Sequence, residues 1–465
     1  MFGLDTGLFI LLLLCLLAAI IFEFINGFHD TANAVATVIY TNSLKPRTAI
    51  IWSGMWNFLG VYLGGIAVAM GIINLLPLQV LVDQNMYHNI AMILSLILTA
   101  IIWNFGTWYF GIPCSSSHTL LGSIFGVGIA YMLTSSTSVG LNWTKVIDAG
   151  LSLLISPIVG FSLALLLMFI FKKLIKKKKF FQTAEDHKKP PFWIRGILVL
   201  TCTSVSYSHG SNDGQKGIGL FMIILISIMP MHFAIDSSKN PANMVGSLNA
   251  VEWYVNKIDK SKMSFKDTLL VNNARQNIIA MKSVLEKIKS PETDIKQYNL
   301  ELRKNILELA SVTNSILKCK NCINNNDNDM LKSNIKELKT YTEFAPKWVI
   351  LLVSLSLGLG TMFGWKRIVI TIGEKIGKTH LNYAQGASAE IVAASTIGLS
   401  TALGLPVSTT HVLSSGIAGS MVSEGGFMNL QKKTVTNILL TWLITIPVTV
   451  TLSGGLFLLL RYIMG

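Results

Sequence analysis

Three hydroxyl side chains and a histidine follow a Gly-x-Pro break at two places in this chain. The first reads Gly111-Ile-Pro-Cys-Ser-Ser-Ser-His118 and the second Gly404-Leu-Pro-Val-Ser-Thr-Thr-His411. Apolar runs rich in small residues, 120–130 and 412–421, follow them. Pro fixes φ and cannot donate, so it suits the start of a helix, and Ser and Thr cap the first turn. Both stretches fall where hydropathy places the chain inside a membrane. Each should therefore begin a helix within the bilayer, its free N–H groups and positive dipole end aimed at whatever lies before it. Such ends bind anions, and Ser115, Ser116, Ser117, Ser408, Thr409 and Thr410 add hydroxyl donors. Two of them suggest two half-helices facing one small anion.

A second pair of polar stretches is acidic. Asn26-Gly27-Phe28-His29-Asp30-Thr31-Ala32-Asn33-Ala34 follows an apolar run, 8–25, that carries Glu23. Ser208-His209-Gly210-Ser211-Asn212-Asp213-Gly214-Gln215-Lys216-Gly217 follows another, 192–205. A charge at mid-membrane costs on the order of 2.5–3.5 kcal/mol, so Glu23, Asp30 and Asp213 call for an explanation. Asp30, Asn33, Asn212, Asp213 and Gln215 can supply oxygens to a coupling cation or a titrating proton, on backbone expected to unwind at Gly27 and Gly210. The blander reading is internal pairing that satisfies broken backbone. Lys216 aligns with Asn33; its ammonium can neutralise an anionic substrate, stand where a cation would bind, or pair with an Asp. His118 and His411 titrate near neutral pH and are candidates for proton linkage, or else are core residues bonded to backbone carbonyls. They make no hydrolytic triad, because no strand and nucleophile elbow precedes them. The chain does not read as an enzyme.

These residues need a scaffold, and composition says which. Hydrophobic residues make up 51% of the chain and charged ones 13%, against roughly 25% charged in soluble domains. Apolar runs recur from residue 8 to 462, which implies an all-α, polytopic membrane protein with about 10–12 segments of roughly 20 residues. The net charge of +14 lies mainly in loops and one long insert, so it reports orientation in the bilayer rather than nucleic-acid binding. Of five cysteines, Cys15, Cys114 and Cys202 are in apolar segments and give no disulfide framework. Cys319-Lys-Asn-Cys322 has no second pair to complete a zinc site. No resident metal is expected. Asp5 stands where a signal peptide would be basic, and hydrophobic segments keep coming, so the N-terminus reads as a membrane segment.

Aligning Asp30 with Asp213 and His118 with His411 puts the remaining segments in matching order. The chain then divides into a first membrane repeat (1–175), a basic cytoplasmic loop (176–190), the start of a second repeat (191–230), a soluble, mainly helical insert (231–346) and the rest of the second repeat (347–465). Loop 74–88 has no Lys or Arg, whereas its counterpart 365–383 has Lys366, Arg367, Lys375 and Lys378. Loop 133–144 lacks them too, and its counterpart 423–433 carries Lys432 and Lys433. Matched loops of opposite bias imply that the halves are inverted in the membrane. Inversion needs an odd number of crossings per half. With six apolar pieces in each, one pair must be a broken or re-entrant unit, and the breaks at Asp30 and Asp213 are the natural candidates. That topology leaves the insert and both termini outside. Tyr298, Leu302, Ile306 and Leu309 share one helical face, and Asn324-Asn-Asn-Asp327 interrupts the insert, which reads as a solvated helical hairpin packed on the membrane part. Glu390, in Gly386-Ala-Ser-Ala-Glu390, aligns with Ile97 and has no assigned role.

Two Gly-x-[Asn/His]-Asp stretches paired with two Gly-x-Pro-x-Ser-[Ser/Thr]-[Ser/Thr]-His half-helices resemble the PiT family of inorganic phosphate transporters, and most closely its low-affinity bacterial Pit carriers. The resemblance covers nearly all the chain outside the insert. It implies uptake of inorganic phosphate across the bacterial inner membrane by alternating access, by proton symport in the Pit branch, with phosphate often carried as a complex with a divalent metal. Phosphate would be held by Ser115, Ser116, Ser117, Ser408, Thr409, Thr410, Gln215 and Lys216. Glu23, Asp30, Asn33, Asn212, Asp213, His118 and His411 would serve the coupling proton or ion. Other branches use sodium and carry Asn-Asp-x-Ala-Asn-Ala in both halves; this chain departs from that at His29 and at Gln215-Lys216. A homodimer is plausible by the same resemblance. The rival readings are a sodium-coupled phosphate carrier, a carrier of another oxyanion such as sulfate, and a membrane sensor or scaffold that uses the insert.

Overall fold

The computed structural model describes residues 4–83, 85–134, 141–184, 189–258, 265–288, 294–317 and 325–464. Among them it is all-α, and the β pairing is limited to two isolated bridges, Thr183 with Asn382 and Gly377 with Leu430. The chain divides into a membrane unit, 3–224 with 346–465, and a second unit, 225–345. The first half of the membrane unit holds α1 (Thr6–Tyr40), α2 (Pro46–Leu63), α3 (Ala67–Ile73), α4 (Leu78–Leu81), α5 (Met86–Tyr109), α6 (Ser116–Thr134) and α7 (Trp143–Leu174). Then comes α8 (Phe192–Ile228). The second unit contains α9 (Pro230–Phe233), α10 (Met244–Lys257), α11 (Phe265–Ile288), α12 (Asn299–Leu317) and α13 (Asn325–Lys339). The membrane unit resumes with α14 (Lys347–Thr361), α15 (Lys366–Glu374), α16 (Tyr383–Ala402), α17 (Thr409–Gly425) and α18 (Lys432–Met464). By length and composition α1, α5, α6, α7 and α18 can each cross a bilayer, and so can the bent pairs α2 with α3 and α14 with α15.

The chain breaks in matched places, but not where the acidic stretches suggested. The bends, 71° between α2 and α3 and 63° between α14 and α15, fall at Gly65 and Gly364, with φ of 80° and 61°. Gly111 and Gly404, at 66° and 69°, turn the chain ahead of α6 and α17. Only glycine enters this left-handed region without strain. By contrast α1 and α8 are helical straight through Gly27 and Gly210. The expected unwinding there is corrected. A glycine costs a helix only about 1 kcal/mol, and an intact backbone ladder is the cheaper arrangement away from water.

These glycines let helices of opposite halves touch. A Cβ on Gly27 would sit 2.4 Å from the Leu357 carbonyl oxygen of α14, and one on Gly210 would sit 2.2 Å from that of Asn57 on α2. Gly360 meets Phe24, and Gly60 meets Tyr207, in the same way. The helix pairs α6 with α18 and α17 with α7 repeat the exchange. Close backbone approach at small residues is how helices associate without a hydrophobic drive between them. Helices α1 and α8 cross antiparallel: Glu23 lies on Gly217, and further along α1 Asp30 meets His209, earlier in α8. Equivalent helices crossing antiparallel are what inverted repeats produce.

In the second unit α10 to α13 enclose a core of their own that includes Leu248, Ile278, Leu302, Ile306, Leu309 and Leu331. Of the expected face, Leu302, Ile306 and Leu309 of α12 are buried and Tyr298, just before it, is half-buried, but four helices stand in place of the expected hairpin, because α10 and α11 supply a second apolar layer. Arg303 Nη1 donates to the carbonyls of Ala234 and Thr342, both at 3.0 Å, tying the two ends of the insert. Cys319 and Cys322, Asn324, and loop residues 135–140 and 185–188 lie outside the described residues.

Gly210→Ala should lower the melting temperature of the purified protein, with overpacking costing about 1–3 kcal/mol. Gly196→Ala, where a Cβ meets open space, should leave it unchanged. Equal melting temperatures for the two variants would contradict this packing.

Candidate functional site

Both half-helices start as their sequences require. Ser115 Oγ accepts from the His118 N–H at 3.2 Å and caps α6; Ser408 Oγ does the same for His411 at 3.1 Å on α17. The two N-termini meet, with the His118 and His411 rings 4.4 Å apart. His118 Nδ1 lies 2.8 Å from Ser115 Oγ, and His411 stacks on Trp442 at 3.7 Å. Both rings therefore pack around the half-helix ends.

The hydroxyls of these ends converge on the two aspartates, which are fully buried. Asp30 accepts from Thr410 Oγ1 at 2.6 Å, Ser116 Oγ at 2.9 Å and Asn33 Nδ2 at 3.3 Å, with His29 Nδ1 3.3 Å away. Asp213 accepts from Lys216 Nζ at 2.6 Å, Thr409 Oγ1 at 3.3 Å and the same Ser116 Oγ at 3.4 Å. His209 Nε2 stands between the carboxylates, 3.7 Å from Asp30 and 3.4 Å from Asp213. Its Nδ1 is 2.9 Å from Asn57 Oδ1. Asp30, His209 and Asp213 each present one ligand atom within 4.8 Å of the others, a geometry suited to a small cation.

Lys216 is enclosed by oxygen. Its three ammonium protons meet Asp213 Oδ1, Ser117 Oγ and, at 3.0 Å, the Val407 carbonyl. Ser117 Oγ itself donates to Val407 O at 2.7 Å. One cation thus joins α8, the start of α6 and the extended chain before α17.

The remaining candidates lie elsewhere. Asn212 holds that extended chain, donating to Thr401 Oγ1 at 2.9 Å and Leu405 O at 3.3 Å, and accepting from Val407 N at 3.4 Å. Gln215 is outside the hydroxyl cluster where it was expected. It accepts from Val68 N at 2.7 Å and donates to Gly64 O and Ser211 O at 2.8 Å. It thereby satisfies backbone groups exposed by the bend between α2 and α3. Glu23 is buried on Gly217, in side-chain hydrogen-bond reach of Asn26 and in electrostatic reach of Asp213, Lys216 and His209. His209 and His29 were missed. Their signal was present: His209 precedes Asp213 by four residues, which is one helix face, but the expected unwinding hid it.

Hydroxyl donors and helix N-termini for an anion thus share one buried site with two carboxylates and a fixed ammonium, between crossed helices of two matched halves. That is the architecture of a membrane carrier. A family model described as "Phosphate transporter family" matches residues 26–453. The chain is 41% identical to "Low-affinity inorganic phosphate transporter PitA" of Escherichia coli (strain K12), over 98% of this chain and 97% of that protein. It is 39% identical to PitB of the same organism, over 98% and 97%. It is 28% identical to a "Probable low-affinity inorganic phosphate transporter" of Bacillus subtilis (strain 168), over 98% and 99%. The chain belongs to the phosphate transporter family. A solved structure titled "The sodium-dependent phosphate transporter" shares its fold, with TM-score 0.54 and 21% identity over 97% of this chain and 99% of that one. The relatives are named as transporters, in agreement with a non-enzymatic reading.

Lys216→Met leaves Asp213 without its buried partner and should destabilise the protein by about 3–5 kcal/mol. Adding Asp213→Asn should recover most of that loss. A melting temperature for Lys216→Met equal to wild type would contradict the pairing.

Proposed function

We propose that this chain takes up inorganic phosphate by proton symport across the bacterial inner membrane, with alternating access of the two halves to one central site. The observation that carries the reading is that Ser116, Thr409 and Thr410, at the half-helix ends, donate to Asp30 and Asp213. A hydroxyl has one proton to donate. Phosphate arriving at the half-helix ends competes for these donors and strips them from the carboxylates. Asp213 then keeps Lys216 and Asp30 keeps Asn33, but the two neighbouring buried carboxylates are left short of donors and demand compensation. A proton supplies it, so substrate and proton are bound together.

Lys216 supports the proton over sodium. Its three oxygen partners are the kind a sodium ion would take, and a tethered ammonium already fills them. The phosphate donors in this reading are Ser116, Ser117, Thr409 and Thr410 with the N–H groups of α6 and α17; Ser115 and Ser408 act as caps. Asp30 and Asp213 carry the coupling proton, with His209 between them. A divalent metal travelling with phosphate would meet the same three groups.

In proteoliposomes, an inward pH gradient should drive phosphate accumulation without sodium, arsenate should compete, and sulfate should not. Asp213→Asn should abolish accumulation while the protein remains in the membrane. Lys216→Asn should make uptake depend on sodium. Normal accumulation by Asp213→Asn, or uptake that follows a sodium gradient in the wild type, would overturn the reading.

A further inference from the structure

Helix α1 carries buried polar residues at 23, 26, 30, 33 and 37, alternating steps of three and four that hold one helix face. Glu23, Asn26, Asp30, Asn33 and Thr37 are all buried, amid Ile25, Ala32, Ala34, Val35, Ala36 and Val38. Beyond the central site the stripe continues in both directions along α1. Glu23 is in side-chain hydrogen-bond reach of Asn26 within the stripe, and Thr37 is in reach of Glu390 on α16.

The stripe ends at a carboxyl from another helix. Gly386 of α16 packs on Thr37, where a Cβ would lie 2.2 Å from Thr37 Cγ2. One turn further along α16 is Glu390, buried, with Thr37 of α1 and Thr201 of α8 beside it. Thr201 Oγ1 donates to Oε2, and the Thr37 hydroxyl is in hydrogen-bond reach of the carboxyl. The titratable group facing it is Cys202 of α8, and among the described residues no cation is paired with it. A buried carboxyl set between two hydroxyls, with no cation against it, can take and give a proton along that polar chain. Thr37 lies seven residues, about 10 Å of helix, past Asp30. That direction leads to the loop with Lys45 and Arg47, the cytoplasmic side by its charge.

We propose that the α1 stripe conducts the coupling proton between the central carboxylates and Glu390, the station through which the proton leaves toward the cytoplasm. Glu390 gives its proton to water on the basic-loop side and takes the next one, passed through water along Asn33 and Thr37, from Asp30. The carboxyl ends each cycle neutral. This rests on the proton-coupled reading above, and the test separates the two.

The test uses full-length protein in sodium-free proteoliposomes with a trapped pH dye and an inward phosphate gradient. Wild type should acidify the lumen as phosphate enters. Glu390→Gln should slow that proton influx at least about tenfold, while exchange of labelled for unlabelled phosphate stays at the wild-type rate. Wild-type proton influx in Glu390→Gln, or loss of exchange together with influx, overturns the assignment. Absence of proton influx in wild type instead overturns the proton-coupled reading. If Glu390→Gln does not reach the membrane, Thr201→Val, which removes the hydroxyl donor and keeps the shape, is read by the same outcomes.

Discussion

Two carboxylates sealed in protein can share a site only if something compensates their charge. Here Asp30 and Asp213 are brought together by the antiparallel crossing of α1 and α8, and each element around them answers that charge. Lys216 neutralises one carboxylate from one turn along its own helix. His209 stands between the pair. The ends of α6 and α17 supply hydroxyl donors and the positive ends of two helix dipoles. The hydroxyls that answer the carboxylates belong to the same half-helix ends, so an anion arriving there would draw on the donors the carboxylates use.

The repeat makes this convergence possible. Helix α1 packs on α14, α2 on α8, α6 on α18 and α7 on α17, each through glycines, so the halves are interlocked rather than side by side. Symmetry supplies two half-helices and two aspartates, but the functional asymmetry sits where the copies differ. Lys216 replaces the amide of Asn33, and Glu390 replaces the apolar Ile97. A fixed ammonium on one side of the crossing and an extra buried carboxyl on α16 make a symmetric frame asymmetric.

Local chemistry was legible in the residues; long-range contact was not. Gly111-Ile-Pro and Gly404-Leu-Pro announced the half-helices because proline, capping hydroxyls and a left-handed glycine act within one turn. The acidic stretches misled because glycine and amide residues look the same in an unwound segment and in a tightly packed helix. What decides is whether the glycine faces another backbone, as Gly27 faces Leu357 and Gly210 faces Asn57, and sequence spacing does not reveal that. Gln215 looked like a ligand and instead satisfies the backbone at a bend 147 residues away. Glu390 gained meaning only when Thr37 and Thr201 were seen beside it.

The central claim is that phosphate and a proton bind together because they share the donors of Asp30 and Asp213. The most direct measurement is the number of protons taken up when phosphate binds the purified protein, read from heats of binding in buffers of different ionisation enthalpy, without sodium. The account predicts net proton uptake that disappears in Asp30→Asn. Phosphate binding with no proton uptake, or binding that appears only when sodium is added, would contradict it.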